Sequence, residues 1–370
     1  MRMILLVGAR PNFVKIAPIM RAIDRHNSTS SSKSIEPILV HTGQHYDYEM
    51  SKIFFEDLEL PEPDMYLGVG SGTHAKQTAR VMMRLEKVLM KEKPDLVMVV
   101  GDVNSTLAGA LAAVKLHISL AHTEAGVRSY DWERPEEINR LLTDAISEYL
   151  FTPSPDADEN LRKEGIPDKR IFLVGNVMID SVLYNRQKAE QSQILHQLRL
   201  RQGGYALLTL HRPSNVDKKE SLLKIVIALK EISQRIPVIF PAHPRTRKNI
   251  VKFRLQNFFE DEHIYFIEPL GYLHFLKLMM NARLVMTDSG GIESETTVLG
   301  IPCLTLKDTT VWKETVSRGT NTLVGSAGEK IIAEAFKILD GKGKKGIVPE
   351  LWDGKTAERI VDILARSKGL

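Results

Sequence analysis

Short continuous apolar runs alternate with amphipathic segments along almost the whole chain. Runs at 3–7, 36–40, 95–100, 118–122, 149–152, 171–174, 205–210, 237–241, 264–267, 283–287 and 301–305 have the pattern of buried strands. Between them the spacing predicts helices over 74–91, 104–116, 135–147, 220–234 and 272–281. Continuous apolar strands separated by helices imply parallel sheets covered on both faces. Six strand candidates precede Gly175-Asn176, and a helix expected over 178–200 leads to a second set. The expected fold class is α/β: two doubly wound Rossmann-like domains facing a cleft, divided into 1–174 and 175–352. In such sheets ligands sit at the carboxyl ends of the strands, and the polar clusters of this chain lie at those ends.

Composition narrows the classes. The chain has 370 residues, 43% hydrophobic and 26% charged, with a net charge of +4. The length suits two ordinary domains. Cations and anions are mixed, which argues against a basic nucleic-acid-binding face. A single cysteine, Cys303, in an apolar strand reads as a buried thiol in a reducing cytoplasm. No apolar stretch is long enough to span a bilayer. The first apolar residues run directly into Gly8-Ala9-Arg10-Pro11 and read as a strand, not a signal peptide. The Ser/Thr-rich stretch 28–34 reads as a solvated loop.

In GARPNFVKIAP, residues 8–18, Arg10 and Lys15 flank a helix start with no acid beside them. Two cations there oppose the helix dipole, so a bound anion or acidic neighbours are expected. The dinucleotide fingerprint G-x-G-x-x-G is absent at this point, and Gly68 to Gly72 has the wrong spacing for it. Asp102, Glu124 and Glu136 place three carboxylates at strand ends in one domain, with Arg140 nearby in sequence to Glu136. Each also fits an ordinary helix start. Together they suit proton transfer, because unlike environments separate carboxyl pKa values.

In the second half, strands end at His211-Arg212 and at His243. The run TDSGGIESETTVLG, residues 287–300, puts Ser289, Gly290 and Gly291 at the end of a strand, with Glu293 and Glu295 expected in the following first turn. Bare backbone N–H groups at a helix N-terminus bind phosphate. First-turn glutamates also stabilise any helix. Metal chemistry is not expected: H-E-x-x-H and a Cys/His framework are absent, and Asp156-Ala157-Asp158 reads as an acidic helix start.

These clusters, in this order and nearly end to end, resemble the non-hydrolysing UDP-N-acetylglucosamine 2-epimerases. The resemblance rests on Gly8 to Pro11 with Lys15 to Pro18, Thr42 to His45, Gly101-Asp102, Glu124 to Arg128, Pro135 to Arg140, Gly175-Asn176, His211-Arg212, Thr287 to Gly291 with Glu295, and Asp308-Thr309-Thr310. It implies the glycosyltransferase-B fold, usually as a homodimer, with a C-terminal helix within 353–370 packing back on the first domain. It implies interconversion of UDP-N-acetylglucosamine and UDP-N-acetylmannosamine by expulsion of UDP to 2-acetamidoglucal and re-addition, with no cofactor. In that reading Asp102, Glu124, Glu136 and His211 are catalytic. Arg10, Lys15, Arg140, His243, Phe275, Ser289, Gly290, Gly291 and Glu295 bind substrate. Gln44, His45 and Arg212 are regulatory candidates.

One departure stands out: the family arginine after Asp308-Thr309-Thr310 is replaced by Trp312, with Lys313 the nearest cation. Alternatives are a glycosyltransferase of the same fold using a UDP-sugar donor, a 2-epimerase of a related UDP-diacetamido sugar, and a non-catalytic UDP-sugar sensor.

Overall fold

The computed structural model describes residues 1–29, 34–44, 55–259 and 263–367. The chain divides into two compact units, Met1–Tyr184 with Glu350–Leu370, and Asn185–Pro349. Helices of nine or more residues are labelled here.

The first unit holds β1 (Arg2–Val7), α1 (Arg10–Thr29), β2 (Glu36–His41), β3 (Met65–Tyr66), α2 (His74–Glu92), β4 (Leu96–Val100) and α3 (Asn104–Lys115). It continues with β5 (Ser119–Thr123), α4 (Pro135–Ile146), β6 (Tyr149–Thr152), α5 (Pro155–Lys163) and β7 (Ile171–Leu173). The strands form a parallel sheet of order β3-β2-β1-β4-β5-β6-β7. β4 is buried at every position, as a strand covered on both faces must be. Helix α6 (Val177–Glu190) then carries the chain across the unit boundary.

The second unit holds β8 (Ala206–Thr209), α7 (Lys219–Ser233), β9 (Val238–Pro241), α8 (Pro244–Lys252), β10 (Ile264–Ile267) and α9 (Tyr272–Met280). β11 (Leu284–Thr287), α10 (Gly290–Leu299), β12 (Cys303–Thr305), β13 (Asn321–Leu323) and α11 (Gly328–Leu339) follow. Its parallel sheet has the order β10-β9-β8-β11-β12-β13. Leu208, Phe240, Met286 and Leu304, from four strands adjacent in the sheet, pack with Ile225 and Leu229 of α7 in one core. In each sheet the order reverses once, between β1 and β4 and between β8 and β11. That reversal positions the sites described below.

Three local features depart from the sequence pattern. The helix expected over 178–200 stops at Glu190. There the Ser192 hydroxyl accepts from the Ile194 N–H and bonds His274, so the side chain competes with the helical ladder. The two-residue β3 and the Asn-led β13 left too little apolar sequence to register as strands. Glu295 lies one turn deeper in α10 than expected, because the helix begins at Gly290 and only Glu293 is in its first turn.

The C-terminal helix α12 (Thr356–Arg366) packs against α1 within the first unit. Asp180 of α6 accepts the Ala357 N–H at 2.7 Å and so caps α12. Pro18 inside α1 has no N–H for the Val14 carbonyl. The Ser181 hydroxyl of α6 donates to that carbonyl instead. Among the described residues no helix is long and apolar enough to cross a membrane.

Gly175, with φ +97°, brings the backbone against the Leu351 carbonyl at the start of this C-terminal return. A Gly175→Ala variant is expected to lose stability, since the left-handed backbone alone costs an L-residue roughly 1–2 kcal/mol and the added methyl meets main chain. Urea unfolding followed by circular dichroism measures it; an unchanged midpoint would show that this turn relaxes freely.

Candidate functional site

At the carboxyl end of the first sheet, the loops after β1 and β4 diverge from neighbouring strands. Asn12 ties them together. Its Oδ1 accepts the Gly8 and Ala9 N–H groups, each at 3.0 Å, and its Nδ2 donates to the Val100 carbonyl at 3.1 Å. One turn on, Lys15 is buried and forms an ion pair with Glu124, also buried. That pair supplies an acidic neighbour for the cation at the start of α1. It needs a glycine beside it: a Cβ on Gly101 would stand 2.8 Å from Lys15 Nζ. Glu124 itself takes φ +71°, a conformation uncommon for a residue with a side chain and one that clusters at functional sites.

Asp102 sits on the turn after Gly101, paired with Arg140, while the Asn139 amide donates to its carbonyl at 2.8 Å. Burial opposes its ionisation, but Arg140 and then Lys15 outweigh that and hold its carboxyl below the usual range. The other arm of Arg140 reaches Glu137 at 2.9 Å. Glu137 is fully occupied, accepting the Ser129 and Tyr130 N–H groups and the Ser129 hydroxyl. The adjacent acids of α4 therefore differ: Glu137 is a buried brace, and Glu136 is exposed with no hydrogen bond or ion pair among the described residues. The backbone of Arg10 opens α1; its side chain lies outside the described residues, as does His45. Gln44 is buried, its amide oxygen Oε1 accepting the Ser105 hydroxyl at 2.7 Å.

In the second unit the turns after β8 and β11 meet at Asp288. This buried carboxylate accepts the His211 and Arg212 N–H groups and the Asn215 amide. His211 Nδ1 lies 2.9 Å from its Oδ1, which leaves Nε2 as the outward-facing ring nitrogen. Burial again opposes ionisation of Asp288, and His211 with these donors holds its pKa down. The His243 ring lies 6.1 Å from that of His211, and its Nδ1 accepts the Arg245 N–H at the start of α8.

Ser289 caps α10 with no side-chain bond to the cap, and Gly290 and Gly291 form its first residues. The indole of Trp312 is packed on this turn: a Cβ on Gly290 would stand 3.0 Å from its Nε1. Trp312 is buried and Lys313 is exposed. A cation the sequence reading passed over, Lys307, is buried here and pairs with Glu293 at 2.6 Å. Its signal was its place at the end of an apolar run, directly before Asp308-Thr309-Thr310. Glu293 also accepts the Thr310 hydroxyl at 2.5 Å, and Thr310 in turn accepts the Trp312 N–H at 3.1 Å.

Glu295 contrasts with Glu293. It is buried, makes no hydrogen bond or ion pair among the described residues, and burial pushes its pKa up to about 8. Phe275 is half-buried on α9. Burial pushes the Cys303 thiol up to about 12, which makes it a poor nucleophile. Asp156 and Asp158 lie in the first turn of α5, with Asp158 taken by the Thr152 hydroxyl. Among the described residues no group of three His, Cys, Asp or Glu side chains is arranged to hold a metal ion.

The comparisons with known proteins bear on the family and the fold. The profile of the UDP-N-acetylglucosamine 2-epimerase family matches residues 27–365. UDP-N-acetylglucosamine 2-epimerase from Methanocaldococcus jannaschii is 46% identical over 374 residues, covering 100% of both chains. The crystal structure of Methanocaldococcus jannaschii UDP-GlcNAc 2-epimerase in complex with UDP-GlcNAc and UDP superposes with a TM-score of 0.89 over 99% of this chain and 100% of that one. UDP-2,3-diacetamido-2,3-dideoxy-D-glucuronate 2-epimerase from Pseudomonas aeruginosa is 43% identical, covering 99% of this chain and 100% of its own. With two parallel sheets of the glycosyltransferase-B type and a family match across most of its length, the chain belongs to the UDP-N-acetylglucosamine 2-epimerase family.

Proposed function

We propose that this protein interconverts UDP-N-acetylglucosamine and UDP-N-acetylmannosamine. The observation that carries the reading is the pairing of cations with carboxylates at the first sheet's reversal, Lys15 with Glu124 and Arg140 with Asp102. A carboxylate takes the C2 proton, the C1–O bond to phosphate breaks with its electron pair leaving on UDP, and C1 and C2 become doubly bonded in 2-acetamidoglucal. Protonation of C2 on the opposite face, with re-addition of UDP at C1, gives the epimer. The sequence is redox-neutral. Asp102 is held ionised by its neighbours, which suits a proton acceptor. Glu124 and Glu136 are the other two proton carriers, Lys15 and Arg140 supply the positive field around them, and Arg10 stays a proposed substrate-binding residue.

UDP is assigned to the second unit. Ser289, Gly290 and Gly291 present N–H groups at the start of α10 to phosphate, with His211 Nε2 and His243 beside the neighbouring strand ends. Glu295 accepts ribose hydroxyls, and Phe275 stacks on uracil. Gln44, His45 and Arg212 stay assigned to regulation by a second nucleotide sugar. A cytoplasmic location is part of this proposal, supported by the nucleotide-sugar substrate and the single buried thiol. A second reading, epimerisation of a UDP-diacetamido uronate, is supported by the 43% identity to the Pseudomonas enzyme. Incubation of each UDP-sugar in D2O, followed by NMR at C2, separates the two. Deuterium at C2 of both N-acetylhexosamine epimers supports the main reading; exchange confined to the diacetamido uronate replaces it.

Substitutions Asp102→Asn, Glu124→Gln and Glu136→Gln are each expected to lower kcat by about 10²-fold or more, the usual scale for a lost acid or base, with UDP affinity little changed. A variant with near-normal turnover leaves the catalytic set.

Glu295 generates a pH prediction. Its folded pKa of about 8 exceeds the ordinary 4.5, so the folded protein holds the proton more tightly. The associated stability is complete below pH 4.5 and is lost as pH rises through 8. Glu295→Gln should therefore raise the melting temperature at and above pH 8, leave it unchanged near pH 4.5, and weaken UDP binding. Ribose hydroxyls donating to Glu295 favour its ionised form, so UDP binding near neutral pH should release a proton in the wild type and not in the variant. Calorimetry in buffers of different ionisation enthalpy reads this; equal proton release by both proteins removes Glu295 from the ribose site.

A homodimer is also proposed, through the apolar face between α2, α3 and α4. A hollow of about 390 Å³ there is lined by Ala79, Met82, Leu107 and Ile138. Ile138 is 39% exposed, and Leu142, one turn along α4, is 48% exposed. Sedimentation equilibrium should give twice the chain mass, and Ile138→Glu with Leu142→Glu should return the monomer; a monomeric wild type ends the proposal.

A further inference from the structure

The turns carrying Asp102 and Glu124 share one buried anchor. Asp144 of α4 is fully buried, and its Oδ2 accepts the Gly126 N–H at 2.9 Å, fixing the turn that follows Glu124. Its Oδ1 lies 2.6 Å from His122 Nδ1. The other nitrogen of the same ring lies 2.8 Å from the Gly101 carbonyl, fixing the turn that precedes Asp102. Arg128 closes the cluster, 2.7 Å from Asp144 Oδ2 and 2.6 Å from Glu164.

The donor and acceptor inventory restricts what this cluster can be. The Asp144 carboxylate and the Gly101 carbonyl are both acceptors, and the His122 ring is held between them. Asp144 is the ionised partner: burial opposes its charge, but His122 and Arg128 outweigh it. The charges are expensive to bury, and packed apolar side chains would fill the same space at lower cost. What the ions provide is geometry. Glu124 has φ +71°, a conformation that in a residue with a side chain persists only where surrounding structure imposes it, and it lies between Gly101 and Gly126, which take φ +69° and +75° without strain.

We infer that Asp144 is a positioning residue for the epimerisation: directly through Gly126, and through His122 to Gly101, it holds the Asp102 and Glu124 turns at one fixed separation. It touches neither carboxylate. The inference rests on the proposed roles of Asp102 and Glu124 in moving the C2 proton, where a misplacement of about 1 Å costs on the order of 10²-fold in rate. Sequence offered no route to it, because His122 and Asp144 each look like ordinary polar residues on their own elements.

Two variants and two readouts test it in the full-length protein. Asp144→Asn leaves one accepting oxygen for three donors; His122→Gln removes only the branch to Gly101. Both should lower kcat on UDP-N-acetylglucosamine by roughly 10- to 100-fold, with KM and UDP affinity changed by less than about twofold. Asp102→Asn added to Asp144→Asn should cost far less than Asp102→Asn alone, because the two act as one unit. Fully multiplicative losses, or a kcat near wild type, would overturn the inference.

Amide hydrogen exchange needs no turnover and separates this inference from the functional reading. Asp144→Asn should speed exchange at both the Gly101–Val103 and Glu124–Gly126 turns, and His122→Gln at the first turn alone, with β2 unchanged in both. Loss confined to one turn in Asp144→Asn, or equal loss at both in His122→Gln, would overturn it even if the wild type acts on a different UDP-sugar. If Asp144→Asn does not fold, the His122→Gln pattern decides.

Discussion

An ion pair removed from water, Lys15 with Glu124, is the contact around which the first unit's strand ends are organised. Removing one partner of such a pair would strand the other, at a cost of about 3–5 kcal/mol. The pair therefore dictates its surroundings. A side chain at Gly101 would be strained by its φ of +69° and would press on Lys15 Nζ. Glu124 must take a left-handed backbone to bring its carboxylate inward. Asn12 must close the two loops that border the lysine. The unfavourable cation at the start of α1 is thus resolved inside the chain itself.

The second unit treats its acids differently. Asp288 is saturated by backbone and side-chain donors, and Glu293 is neutralised by Lys307 while burial still raises its pKa. Glu295, two residues on, is given nothing. Two glutamates on one helix thus have opposite environments. One fastens the 307–312 loop to α10, and the other is left with its full hydrogen-bonding capacity.

Much of the fold was legible because a parallel strand buried on both faces must be apolar throughout. The runs at 149–152 and 264–267 coincide with β6 and β10. Elements set by distant partners were not legible. β3 is two residues long and exists through its pairing with β2, and α6 ends where Ser192 finds His274. The same limit applies to side chains. Position in sequence marked Asp102, Glu124 and Glu136 as polar groups at element ends, but could not separate exposed Glu136 from buried Glu137. Asn12, His122, Asp144 and Lys307 acquire meaning only from atoms far along the chain, as when Asn12 reaches Val100 across 88 residues.

The indole laid on the α10 turn has an optical consequence. The chain has three tryptophans. Trp132 is 70% exposed, whereas Trp312 and Trp352 are 8% and 2% exposed. Soluble quenchers therefore silence Trp132 first. Of the two that remain, Trp352 donates to the Pro153 carbonyl in the first unit. Trp312 lies against Gly290, at the turn proposed to take the diphosphate. At the position where the family resemblance leads one to expect an arginine, this chain carries a fluorophore packed on the turn proposed to hold phosphate.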